Sequence, residues 1–205
     1  MTLTRDQVED TALAILTRFG LADLSMRRLA RELDVQVGAL YWHVKNKQEL
    51  LVGVAARLLN GLDAGNQPGC SAQGDAPSTG GPTRGAPQDQ ASGRAAVAGL
   101  ATGIRAALVN VPDSAEVIQV AQSLQPGALA PLNRLRAMLA AAGIENPTWA
   151  QHLVMNHVLG SIAAAQESAR LAAVDSTAAA VPLGDDAFDW GLQIILDGLF
   201  GGAAT

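Results

Sequence analysis

The sequence predicts an all-α protein: a small three-helix head at the N-terminus and a larger helical body behind it. Three observations carry this reading. Apolar residues recur at spacings of three and four, the periodicity of one helix face. Aromatic residues make up only 3% of the chain, alanine is abundant and runs of strand length are scarce, a balance that favours helix over sheet. Apolar residues are 49% of the 205, enough for a core and inconsistent with global disorder.

The elements follow in order. Thr4 and Gln7 have the spacing of a capping box. Val8, Ala12, Ile15, Leu16 and Phe19 then form one face, and Gly20 is placed to end the helix. Ser25 caps a second helix of about eight residues, with Leu29, Ala30 and Leu33 inward and Arg27, Arg28 and Arg31 pointing elsewhere. A helix that short is unstable alone and must pack on neighbours. Asp34 to Gln36 form a short turn before a third helix from Val37 to His43. Asn46 and Glu49 repeat the capping pattern, and Leu50, Leu51, Val54 and Leu58 carry a fourth helix to about Leu62.

Residues 63–94 hold Gly, Pro, Ala, Ser, Gln and Asp with hardly a large apolar side chain. Nothing there offsets the entropy of ordering it, so a flexible loop is expected. Helical pattern returns at about residues 95–109, 114–123 and 129–142, punctuated by Pro112, Pro126, Gly127 and Gly143. Asn146 and Pro147 read as N-cap and first residue of a long helix to Leu171. Residues 172–183 look irregular, and a last helix covers Asp185 to Phe200.

Net charge is −5, yet residues 1–60 carry eight basic and seven acidic side chains, and residues 27–47 carry five basic against two acidic. A locally basic head on an acidic body suits a protein that meets phosphate through one small surface. The single cysteine, Cys70, excludes an intrachain disulfide and reads as a solvent-facing thiol. The first residues lack a signal-peptide pattern and no apolar run reaches a membrane span, so a cytoplasmic protein with no membrane partner is expected.

The stretch from Leu24 to Lys47 is two short helices joined by a tight turn. The second combines small Gly38 and Ala39 with Tyr41, Trp42 and His43, while Leu40 and Val44 anchor it inward. This is the layout of a helix-turn-helix that docks in a major groove. The run from Leu40 to Leu51, with the upstream Arg27 and the Leu29-Ala30 pair, resembles the tetracycline-repressor (TetR) family of transcriptional regulators over roughly residues 5–60. The resemblance implies a helix-turn-helix DNA-binding domain in residues 1–46 and an effector-binding and dimerisation domain in residues 47–205. By position it gives Arg27 a base edge, places Val37, Gly38 and Ala39 against the groove, and makes Tyr41, His43 and Lys47 phosphate clamps. Val37, Gly38 and Ala39 depart from the Gln, Pro and Thr of the tetracycline repressors. Val37 cannot hold adenine bidentately but can touch a thymine methyl, so the operator should differ. Trp42 is expected to pack at the edge of the head, Met26 to pack inside it, and Arg28 and Arg31 to be solvated or paired. Tyr41 could instead close the small core.

The family implies a homodimer on a palindromic operator, most often as a repressor released by a small-molecule effector. A dimer seam is expected at Phe188, Leu192, Ile195 and Leu199 on the last helix, together with Leu153, His157, Gly160, Ala164 and Leu171 on the long one; the alternative is that these form monomer core. The pairs Leu159-Gly160 and Gln166-Glu167, and Gly191 and Gly198, also resemble the family's pairing helices. For the effector, Gln122, Met138, Trp149, His152, Met155 and Asn156 are candidates, the polar ones because buried polar groups need partners. In tetracycline repressors a magnesium-binding histidine precedes the proline matching Pro126; here Val120 to Gln125 contain none, so a mostly apolar effector is expected rather than magnesium–tetracycline.

No cofactor, metal site or catalytic residue is expected. His152 and His157 are five apart and miss the i, i+4 spacing of helical zinc ligands. A body that docks a partner protein instead of a ligand is the alternative regulator, and an all-helical enzyme the remote one.

Overall fold

The computed structural model describes residues 3–62, 87–174 and 184–201. Among them are nine α-helices and no strand: α1 (Arg5–Phe19), α2 (Met26–Glu32), α3 (Val37–Leu40), α4 (Lys47–Leu59), α5 (Pro87–Leu108), α6 (Ser114–Leu124), α7 (Ala130–Ala141), α8 (Pro147–Val174) and α9 (Asp185–Gly201), with a 3-10 turn at Asn60–Leu62.

Polar caps set the starts of α1, α2 and α4. Thr4 Oγ1 accepts from the Gln7 amide at 3.2 Å while Gln7 Oε1 accepts from the Thr4 amide at 2.9 Å, the reciprocal pair that satisfies two orphan donors. Gly20 closes α1 at φ +79°, a left-handed position that favours glycine. Ser25 caps α2 and Asn46 caps α4. The Glu49 carboxylate reaches one residue further back than a capping box, to the Lys45 amide at 2.9 Å.

Three boundaries differ from the sequence expectation. α3 ends at Leu40, and residues 41–43 turn, with the His43 and Val44 amides both donating to the Leu40 carbonyl. The chain must leave the helical path there, because Asn46 is extended at φ −164° to cap α4. α5 begins at Pro87, so residues 87–94 are helical rather than loop. Arg94 donates to Gln193 at 2.6 Å and pairs with Asp197 at 2.7 Å on α9, and the segment has no large apolar residue whose spacing could be read. α8 extends to Val174. The rest of the expected loop, 63–86, with Cys70, and residues 175–183 lie outside the described residues.

α4 joins the two halves, with α1 against it on the head side and α6 on the body side. Leu16, Leu29, Leu40, Val44 and Leu50 fill the head, and the same apolar cluster continues through Val54 and Leu59 to Ile104, Ile118, Leu135 and Val158 in the body. A buried carboxylate reinforces the α1–α4 contact: Glu9 receives Arg5 at 2.7 Å and Arg57 at 3.0 Å.

Candidate nucleic-acid interface

The turn between α2 and α3 is tight because Asp34 adopts φ +52° and the Val35 amide returns to the Ala30 carbonyl at 3.0 Å. Leu40 and Val44 are fully buried beneath the third helix, which fixes the outward side of the segment. Gly38, Tyr41 and Trp42 are exposed there, and Val37, Ala39 and His43 are half-buried. Trp42 is 89% exposed, so the packing role expected for it is not realised. It lies two residues from each buried anchor and therefore on the side away from the core. Met26 packs on the core as expected.

The three arginines of α2 divide. Arg28 pairs with Asp23, lies 3.9 Å from Glu32 and sits over the Phe19 ring at 3.9 Å, so its charge is neutralised inside the head. Arg27 and Arg31 are exposed, share one helix face at i and i+4, and have no side-chain partner among the described residues. Both border a polar hollow of 330 Å³ with Ser25. Lys47 stands in the first turn of α4, its ammonium donating to the Leu21 carbonyl at 3.4 Å.

Sequence reasoning missed how this head is fastened to the body. The Leu21 amide donates to Asp113 Oδ2 at 2.7 Å, and Asp113 also pairs with Arg170 of α8. The backbone bond from Leu21, ahead of the Arg170 charge, holds the Asp113 carboxyl below its ordinary range against a smaller opposing effect of burial. Asp113 precedes α6 at φ +57° and makes no side-chain cap, because its carboxylate is aimed at the head instead. A Cβ on Gly20 would come within 2.7 Å of that carboxylate. Behind it, Gln166 donates to the Val111 carbonyl at 2.7 Å and Ser114 to the Leu108 carbonyl at 2.7 Å. No spacing pattern announces such a long-range contact; two left-handed turns 93 residues apart are its only trace.

The six effector candidates do not converge. Trp149, His152 and Asn156 lie on the solvent side of α8, and Met155 is sealed in the core at 1% exposure. Helix geometry explains the split, since Ala150, Gln151, Val154, Met155 and Val158 form the inward face. Gln122 has a buried Nε2 with no hydrogen-bond partner. Met138 lines a cavity of 230 Å³ between α5, α7 and the 3-10 turn, together with Leu62, Leu100, Arg134 and the small residues Ala96, Gly99 and Gly103. That small-residue run at spacings of three and four was the readable signal, because it leaves one face of α5 short of volume.

The residues of the expected dimer seam differ in burial within the subunit. Phe188 and Leu192 are buried within the subunit, and Ile195 and Leu199 pack partly on its core. His157 is half-buried, its Nε2 2.8 Å from the Phe188 carbonyl and its ring stacked on Phe188 at 5.2 Å. Arg105 lies 4.8 Å from the Phe188 ring centroid and joins Ser161 of α8 to Asp185 of α9. These pairings run 161 with 185 and 157 with 188, so the two helices are antiparallel. Phe188 thus meets α8 of its own subunit, the monomer-core alternative at that position. Gly160 is exposed and Ala164 half-buried. On the same two helices Trp149, Leu153, Trp190 and Ile194 are exposed, at 74, 48, 71 and 54%.

Among the described residues, no three His, Cys, Asp or Glu side chains converge as a metal set, and no helix is long and apolar enough to cross a membrane.

A family model for bacterial regulatory proteins of the tetR family matches residues 10–54. Tetracycline repressor protein class D of Escherichia coli is 44% identical over 57 residues, which are 28% of this chain and 26% of that one; the match thus spans about a quarter of the curated relative. Likeness to solved structures runs through the whole chain. BioQ of Mycobacterium smegmatis superposes with a TM-score of 0.72 at 30% identity, covering 97% of this chain and 98% of that one; BioQ has also been solved with its natural double-stranded DNA operator, to which the TM-score is 0.67 at 29% identity, with 97% and 99% covered. ActR of Streptomyces coelicolor in complex with (S)-DNPA gives 0.68 at 27% identity, with 99% and 100% covered. With the head matched by the family model and full-length likeness to BioQ, the chain belongs to the TetR family of bacterial regulatory proteins.

Proposed function

We propose that this chain is a transcriptional repressor that binds a palindromic operator as a homodimer and releases it when a small molecule enters the body. One observation carries the reading: Arg27 is exposed and without a side-chain partner among the described residues, on a helix-turn-helix anchored by Leu40 and Val44, while the neighbouring Arg28 is neutralised internally. Residues 1–46 act as the reading head and 47–205 as the body. Arg27 takes a base edge, Val37, Gly38 and Ala39 line the groove, and Tyr41, His43 and Lys47 hold phosphates. The operator-bound structure of the similar BioQ supports this use of the head, and the ligand-bound ActR supports a sensing body.

The 230 Å³ cavity beside Met138 is the effector site, and its apolar walls suit a mostly apolar ligand. Trp149, Leu153, Gly160, Trp190 and Ile194 form the face covered by the second subunit. An effector shifts the equilibrium only by its differential affinity for the bound and released states; the Leu21–Asp113 contact is the route by which the body sets the angle of the head.

Fluorescence anisotropy of the purified protein on DNA upstream of its own gene, against scrambled DNA across a salt series, tests the reading. Sequence-preferring, salt-sensitive binding with two subunits per site is the expected result. Equal binding to both duplexes at every salt concentration, there and on a random-sequence selection, would remove it.

A further inference from the structure

Trp42 is the most exposed large apolar side chain among the described residues, at 89%. Its position explains this: the fully buried Leu40 and Val44 lie two residues to either side, so Trp42 stands at the outermost point of the turn after α3. Gly38, four residues earlier, shares that outward side, and nothing lies within 4 Å of where its Cβ would be. Val37 and Ala39 flank it, half-buried. Apart from Tyr41, assigned above to phosphate, the surface the third helix offers to a groove is therefore an indole, a gap and two small aliphatic groups.

This surface has almost no means of hydrogen-bonded reading. Val37, Gly38 and Ala39 have no polar side-chain atom, and Trp42 has a single N–H donor and no acceptor. The major groove presents one apolar group on any base edge, the C5-methyl of thymine. An indole in water gains by covering apolar surface, and the gap at Gly38 lets the backbone come close enough for it to do so. The geometry points to Trp42 as a reader of thymine methyl groups, so that the operator is chosen largely by where its methyls stand, with Arg27 adding one polar contact. This rests on the DNA-reading head proposed above.

The test uses the full-length protein. A duplex enriched from a random-sequence pool is remade with each thymine replaced singly by deoxyuracil, which removes the methyl and keeps every base-pairing and groove hydrogen bond. The expected result is a loss of about three- to five-fold at one or more thymines in each half-site, the order of one buried methyl. Trp42→Ala should bind more weakly overall and be indifferent to uracil at those positions, while Trp42→Phe keeps the sensitivity. Because Trp42 supports no packing, unchanged circular dichroism is expected for both. Tolerance of uracil at every thymine, or equal losses in the wild type and Trp42→Ala, would overturn the assignment while leaving specific DNA binding intact. Failure to enrich any duplex would remove the DNA-reading head and this inference with it.

Discussion

Arg27 and Arg28 are adjacent in sequence and opposite in circumstance. Arg28 lies against Phe19, Asp23 and Glu32, whereas Arg27 is exposed with no partner among the described residues. Arg27→Ala should therefore cost about 1–3 kcal/mol of operator binding at one base position and little on random DNA. Lys47→Ala should weaken all duplexes alike and lower the salt slope by about one. Equal losses on specific and random DNA for Arg27→Ala would show that it meets only phosphate. A second residue-scale expectation concerns Gly53, which meets the buried Glu9. A Cβ there would overlap that carboxylate, which two arginines pin in place. Gly53→Ala gains about 1 kcal/mol of helix propensity. Displacing Glu9 from its buried pairs costs about 3–5 kcal/mol, so the variant should lose about 2–4 kcal/mol in urea unfolding. A variant as stable as the wild type would mean that Glu9 swings away freely.

Between elements, the corner from α5 to α6 is the part of the fold on which most depends. It is pinned from behind by Gln166 and Arg170 of α8 and holds the α1–α2 loop in front through Asp113. Asp113 titrates below its ordinary value of 3.8, chiefly through the Leu21 amide bond. A carboxyl depressed on folding stabilises fully above its unfolded pKa, and that contribution disappears as pH falls through the lower folded value. Asp113→Asn should thus be less stable than the wild type at neutral pH and approach it below about pH 4. Parallel stability curves from pH 7 to about pH 3 would detach this carboxylate from head docking. None of this was legible in the sequence, because a bond between residues 21 and 113 has no local pattern. What was legible was local. Thr4, Ser25, Asn46 and Pro147 marked helix starts because capping and proline chemistry act within one turn. Apolar spacing gave the inward faces of α1 and α4. It failed at residues 87–94, where the helix docks through Arg94, and at Trp149, His152 and Asn156, where residue type was read without allowing for the inward face of α8. The motif told which side chains belong to the head and already set Arg27 apart from Arg28; the structure supplied the partners of Arg28 and turned Trp42 from packing to surface.

At the scale of the whole molecule, the three tryptophans are the guide. Trp42 marks the head, and Trp149 and Trp190 stand exposed on the α8–α9 pair, where Leu153 and Ile194 are also about half exposed. Four large apolar side chains on one antiparallel helix pair make a patch that a monomer in water has no reason to keep. A second copy related by a two-fold axis would cover it with the same residues, since such an interface is self-complementary. The two heads would then meet half-sites about one helical turn apart, on the order of 34 Å. Leu153→Arg and Ile194→Asp, made separately so that the new charges cannot pair, should each give a monomer by analytical ultracentrifugation while leaving the inward core of Phe188, Leu192 and Leu196 untouched. Because the second head binds intramolecularly in a dimer, affinity for the full palindrome should fall by about 10²–10⁴-fold. Affinity for an isolated half-site should stay unchanged. Loss of half-site binding as well would mean that the substitutions had damaged the fold. A monomeric wild type, or dimers that survive both charges, would place the subunit contact elsewhere and leave this apolar face to some other partner.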